Sequence, residues 1–145
     1  MWPPRTEVMD GSTGSVAKPV VLVVDDHEDT RHMSVIVLRS QGFQPVAAAS
    51  GEAAFASACD ARPDVIVTDL AMPDGNGWEL LQRLSADERT HRIPVVMVTA
   101  CATDAVRQRA REEGVGAFFF KPCAPNVLAD ALRRLIGAGA KPPAG

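Results

Sequence analysis

Five short apolar runs alternate with segments of helical periodicity along this chain of 145 residues, and that alternation leaves few folds open. The first run, Val20–Val24 (VVLVV), is continuous and β-branched, the pattern of a strand covered on both faces. A helical pattern follows over residues 29–41, with Met33, Ile36, Val37 and Ser40 on one side and Gly42 as its stop. Gln44–Ala48 reads as a weaker strand, and Ser50 as the N-cap of an Ala-rich helix reaching about Ala61. Pro63 closes that region before a third run, Val65–Thr68, which leads into Asp69. The turn-rich MPDGNG precedes a helix over residues 78–85, and Pro94 introduces the strand Val95–Thr99. Residues 103–113 are predicted helical with Gly114 as their end, 118–120 form a fifth strand, and Pro125 suits the start of a last helix to Ile136. Five strands interleaved with five helices imply right-handed crossovers and one parallel sheet between two helical layers, an α/β fold.

One domain is expected over residues 19–137, with a disordered leader, 1–18, and a disordered tail, 138–145. The chain carries 15 basic and 18 acidic residues without a Lys/Arg run, which argues against nucleic-acid binding. No segment approaches the ~18 apolar residues needed to span a bilayer, and none resembles a signal peptide, so a cytoplasmic, membrane-free protein is expected. Cys59, Cys101 and Cys123 have neither metal spacing nor an even count for a disulfide framework. His27, His32 and His91 are scattered and read as solvated surface.

In open α/β sheets ligands bind beyond the carboxyl ends of the strands, so the residues that terminate the runs carry the functional information. They are Asp25 and Asp26, then Asp69, Thr99 and Lys121. Taken singly, an Asp after a strand is usually a turn or cap former. Taken together, three carboxylates, a hydroxyl and an ammonium at the same edge make a constellation suited to phosphoryl transfer onto a carboxylate. Clustered acids repel unless a cation is present, and a hard divalent ion such as Mg²⁺ relieves that repulsion. A free carboxylate oxygen can attack phosphorus, while Lys and Thr balance charge on the transferred group.

The segments VVDDHED, VTDLAMPDGNGWEL, PVVMVTA and FFFKP resemble the receiver domain of two-component response regulators, from about Val20 to Ile136. The resemblance implies a flavodoxin-like, doubly wound sheet of five parallel strands in order 2-1-3-4-5. It implies Asp69 as the phosphate acceptor and Mg²⁺ (or Mn²⁺) held by Asp25, Asp26, Asp69 and the backbone carbonyl of Ala71. Thr99 matches the hydroxyl switch residue, Ala100 the small residue beside it, Lys121 the phosphate-contacting lysine and Phe118 the rotating aromatic. Pro122 falls at a position that is often a cis proline in that family.

The sequence departs from the family pattern in three respects, the last of them at two positions. Phe118 stands where Tyr is commoner, Cys123 where an aromatic residue usually follows Lys-Pro, and Ala71 and Cys101 two residues beyond the acceptor and the threonine. The last two position water poorly, which predicts slow autodephosphorylation. The implied partners are a histidine kinase or histidine phosphotransfer protein; with only a short tail expected after residue 137, the output is expected to lie in a separate protein, a fragment of a longer regulator being the other reading. The implied chemistry is no enzymatic turnover beyond the chain's own phosphorylation and dephosphorylation. Two other readings exist. A phosphorylation-independent interaction domain has no need of the five polar residues. A phosphotransferase of haloacid-dehalogenase type would want an acid where Ala71 stands. Trp78 is expected to pack, and Arg107, Arg109, Arg111, Arg133 and Arg134 to form a solvated face.

Overall fold

A computed structural model describes residues 18–72, 77–100 and 103–137. The leader before Lys18, the tail from 138, most of the MPDGNG turn and Cys101 lie outside the described residues. Ten elements follow in strict alternation: β1 Val20–Val24, α1 Glu28–Ser40, β2 Gln44–Ala48, α2 Gly51–Ala61, β3 Val65–Thr68, α3 Gly77–Ala86, β4 Val95–Thr99, α4 Asp104–Glu112, β5 Ala117–Phe120 and α5 Pro125–Gly137. The strands form one parallel sheet in the order β2-β1-β3-β4-β5, as the resemblance implies. Strand β1 sits between β2 and β3, pairing Val21 with Val65 and Val24 with both Ala48 and Thr68.

The period-2 alternation of strand side chains divides the interior into two layers. Leu22, Val24, Ile66 and Met97 point to one face, where Ala54 and Ala58 of α2, Leu80, Leu81 and Leu84 of α3 and Ala110 of α4 cover them. Val21, Val23, Val65, Val67 and Val96 point to the other, against Leu38 of α1, Phe43, and Ala129 and Leu132 of α5. Both faces are covered, which is why these runs are uniformly apolar instead of alternating. In α2 two alanines spaced four apart let the helix backbone approach the sheet closely.

Ser50 caps α2 as expected, accepting from the Ala53 N–H at 3.1 Å, whereas Thr103, read as the first helical residue, lies just outside α4 as its cap and accepts from the Val106 N–H at 3.2 Å. Gly42 (φ 94°) and Gly114 (φ 80°) end α1 and α4 in the left-handed region. Helix α1 departs from the sequence reading. Met33 and Ile36 are 59% and 49% exposed, whereas Leu38 is buried against the sheet. The helix is apolar on several sides (Met33, Val35, Ile36, Val37, Leu38), so spacing alone does not choose the buried face, and contact with Phe43 and α5 does.

Candidate functional site

The sheet brings the ends of β1, β3 and β5 to one edge. Asp25 continues β1: its N–H donates to the Ala48 carbonyl at 3.1 Å, and it is 6% exposed. Its Oδ1 accepts from the His27 N–H at 2.9 Å and its carbonyl accepts from Arg31 Nη1 at 2.9 Å. Asp69 continues β3, its N–H donating to the Val24 carbonyl at 3.2 Å. Its Oδ1 accepts from the Ala71 N–H at 3.1 Å, and its carbonyl from the Thr68 hydroxyl at 2.9 Å. Lys121 continues β5, anchored by its N–H to the Thr99 carbonyl at 2.9 Å, and is followed by a cis bond to Pro122.

The three side chains meet at the Lys121 ammonium. Lys121 Nζ lies 2.6 Å from Asp69 Oδ2 and 3.6 Å from Asp25 Oδ2. Burial works to lower the Lys121 pKa, but the hydrogen bond and charge of Asp69, and then Asp25, outweigh it and leave the ammonium favoured beyond its ordinary range. Asp69 is therefore ion-paired through Oδ2 and hydrogen-bonded through Oδ1. The three groups line a cavity of about 480 Å³ together with the apolar side chains of Val23, Val67 and Val98.

Thr99 is 1% exposed at the end of β4, one strand from Asp69. Ala100 and Ala71 are at the surface. Phe118 is half-buried on β5, packed against the α2–α3–α4 layer and in edge contact with Phe120, ring centroids 5.4 Å apart. Asp26 is exposed beside Asp25, and among the described residues no three carboxylate, imidazole or thiol groups are gathered closely enough to hold a metal ion. The expected acidic group is thus assembled in part: Asp25 and Asp69 converge and Asp26 stands apart. A physical reason is at hand, since one ammonium offsets two neighbouring carboxylates incompletely and a third would add repulsion. The donors are hard carboxylate oxygens, exposed at Asp26 and largely buried at Asp25 and Asp69, a type that suits a hard divalent cation.

Three features of the site were not read from the sequence. Gly77 was visible only as the glycine closing D-L-A-M-P-D-G-N-G; its N–H donates to the Leu70 carbonyl at 2.7 Å, and a Cβ there would lie 2.8 Å from the Asp69 carbonyl oxygen. His27, taken as solvated surface, caps α1: its Nδ1 lies 3.1 Å from the Thr30 hydroxyl and 3.4 Å from the Thr30 N–H. The Cys123 thiol lines the same cavity and is half-buried, which pushes its pKa up. The arginines of α4 also do more than face solvent. Arg107 lies over the Phe120 ring at 4.3 Å and Arg109 over Trp78 at 4.7 Å, while Trp78 itself is buried, as expected.

Comparison with known proteins agrees with this architecture. A family profile described as "Response regulator receiver domain" matches residues 21–133. The phosphate regulon transcriptional regulatory protein PhoB of Escherichia coli is 34% identical over 116 residues, covering 80% of this chain and 51% of that protein. The chain thus matches about half the length of that relative. The polar-differentiation response regulator DivK of Brucella ovis is 28% identical over 117 residues, covering 81% and 95%. Among solved structures, the chemotaxis protein CheY4 of Vibrio cholerae superposes with a TM-score of 0.77 at 31% identity, covering 81% of this chain and 98% of that one. With its strand order, its acid–lysine cluster and a family match over most of its length, this chain belongs to the response regulator receiver domains.

Proposed function

We propose that Asp69 accepts a phosphoryl group from a phosphorylated histidine on a kinase or phosphotransfer protein. The observation that carries this reading is the Lys121 ammonium, 2.6 Å from Asp69 Oδ2 and 3.6 Å from Asp25 Oδ2, three side chains delivered by three different strands. A carboxylate oxygen of Asp69 bonds to phosphorus as the bond from phosphorus to the histidine nitrogen breaks. The nitrogen keeps the electron pair and later takes up a proton. Lys121 then pairs with the new phosphoryl oxygens in place of the carboxylate oxygen it now holds.

Asp25, Asp26, Asp69 and the Ala71 carbonyl would hold Mg²⁺ or Mn²⁺, which supplies charge neutralisation for the incoming phosphoryl group. Thr99 donates its hydroxyl to a phosphoryl oxygen, and Ala100 leaves room for the group. Movement of Thr99 lets Phe118, already half-buried, turn further inward and change the surface it leaves. The signal passes to an output partner by that surface. The chain turns over no substrate besides its own phosphoryl group. Among the described residues no helix is long and apolar enough to cross a membrane.

The test is binding of a beryllofluoride phosphate mimic with Mg²⁺, followed through Trp78 fluorescence. Wild type should respond and Asp69→Ala should not. Equal responses would favour a phosphorylation-independent interaction domain.

A further inference from the structure

The switch depends on Phe118 reaching the space that Thr99 vacates, and the strand register sets a second ring beside that space. Thr99 pairs with Phe120, whereas Phe118 pairs with Met97, two residues back along β4. Met97 and Phe118 belong to the α2–α3–α4 layer and Val98 and Phe119 to the opposite one, so by alternation Thr99 and Phe120 share the face of Phe118. Neighbouring strands lie roughly 4.8 Å apart, which makes Phe120 the side chain of β5 directly beside Thr99. Two neighbours hold the Phe120 ring. It meets Phe118 nearly edge to face, centroids 5.4 Å apart and planes at 81°, the arrangement that ring quadrupoles favour. The Arg107 guanidinium lies 4.3 Å from its centroid. Arg107, Phe118 and Phe120 also line a cavity of about 330 Å³ between α4 and β5, so these rings border open space instead of close-packed core. A swing of Phe118 to another staggered χ1 well carries its ring out of the edge contact. The contact therefore belongs to the resting arrangement alone.

We propose that Phe120 is a latch that holds Phe118 in the resting arrangement, with Arg107 keeping the Phe120 ring in place, and so opposes the response to a phosphoryl group; this rests on the phosphoacceptor reading. A contact made in one state only shifts the balance toward that state, and removing it tightens whatever binds the other. The sign separates the latch from two plainer roles. Loss of packing alone leaves binding at Asp69 unchanged or weaker. Loss of the Arg107 charge alone weakens binding of an anion.

The experiment titrates beryllofluoride with Mg²⁺ into the full chain, for wild type, Phe120→Leu and Arg107→Met, and reads occupancy from the ¹⁹F signals of bound fluoride. An aromatic pair of this kind is worth about two- to tenfold in an equilibrium constant, so Phe120→Leu should bind tighter by that factor. Arg107→Met should bind tighter too, by up to about fivefold. In a Phe118→Ala background, where no ring is left to hold, Phe120→Leu should not alter the affinity. Unchanged or weaker binding in Phe120→Leu or Arg107→Met overturns the proposal, and so does equal tightening with Phe118 removed. If wild type binds no beryllofluoride, the phosphoacceptor reading fails and the latch with it; if wild type binds and the variants bind no tighter, the latch alone fails. Should Phe120→Leu not fold, Phe120→Met replaces it under the same criteria.

Discussion

Replacing Lys121 by Met keeps most of the side-chain volume and deletes the charge that joins Asp69 to Asp25. Coulomb's law at an effective dielectric near 20 gives the 2.6 Å contact roughly 6 kcal/mol. Most of that does not survive, because the Lys121 side chain is 32% exposed and both ions lost hydration on folding. A pair between the surface and buried extremes should contribute on the order of 1–2 kcal/mol. Repulsion between the two stranded carboxylates adds to the cost. Urea unfolding of wild type and Lys121→Met, with chelator present at neutral pH and low salt, should show a loss of that size. In about 1 M salt, where the screening length falls to about 3 Å, the difference should shrink. A variant as stable as wild type at low salt, or a loss that salt leaves untouched, would refute the ion-pair argument.

Four further outcomes are expected. The Lys121 pKa is raised above 10.5, so its contribution to stability is complete below about that pH and lost as pH climbs through the folded value; in alkaline unfolding series the gap between wild type and Lys121→Met should close above 10.5. Gly77→Ala should lower stability by about 1–3 kcal/mol, read as a fall in Tm, because its Cβ would press on the Asp69 backbone. Leu38→Ala should cost about 2–5 kcal/mol in urea unfolding whereas Met33→Ala stays within about 0.5 kcal/mol, which checks the orientation of α1. Ala71→Asn should speed autodephosphorylation of the phosphorylated chain, since an amide beside Asp69 can orient a water; an unchanged half-life by phosphate-affinity electrophoresis would remove Ala71 as the cause of slow hydrolysis.

Much of the architecture is written locally. Strands buried on both faces must be apolar throughout, so Val20–Val24, Val65–Thr68 and Val95–Thr99 stand out, and caps such as Ser50 and stops such as Gly42 and Gly114 mark helix ends. The residues ending those strands converge for the same reason: parallel strands share one carboxyl edge, which brings Asp25, Asp69 and Lys121 together. What stayed hidden depends on tertiary neighbours. The face of α1 is undecided by a helix apolar on several sides. Gly77 reveals its purpose only against the Asp69 carbonyl, and Arg107 and Arg109 look like solvated charges until Phe120 and Trp78 are placed beneath them. Asp26 shows the opposite limit. A resemblance assigns it to the metal, while the protein atoms alone leave it exposed.

The central claim is that the carboxylate of residue 69 is where phosphorus becomes attached. Treating the chain with acetyl phosphate and Mg²⁺, then with borohydride, converts an aspartyl phosphate to homoserine, and peptide sequencing by mass spectrometry locates it. Homoserine is expected at position 69 and nowhere else. Conversion at another acid, or none under conditions where a phosphorylated histidine donor also fails, would contradict it.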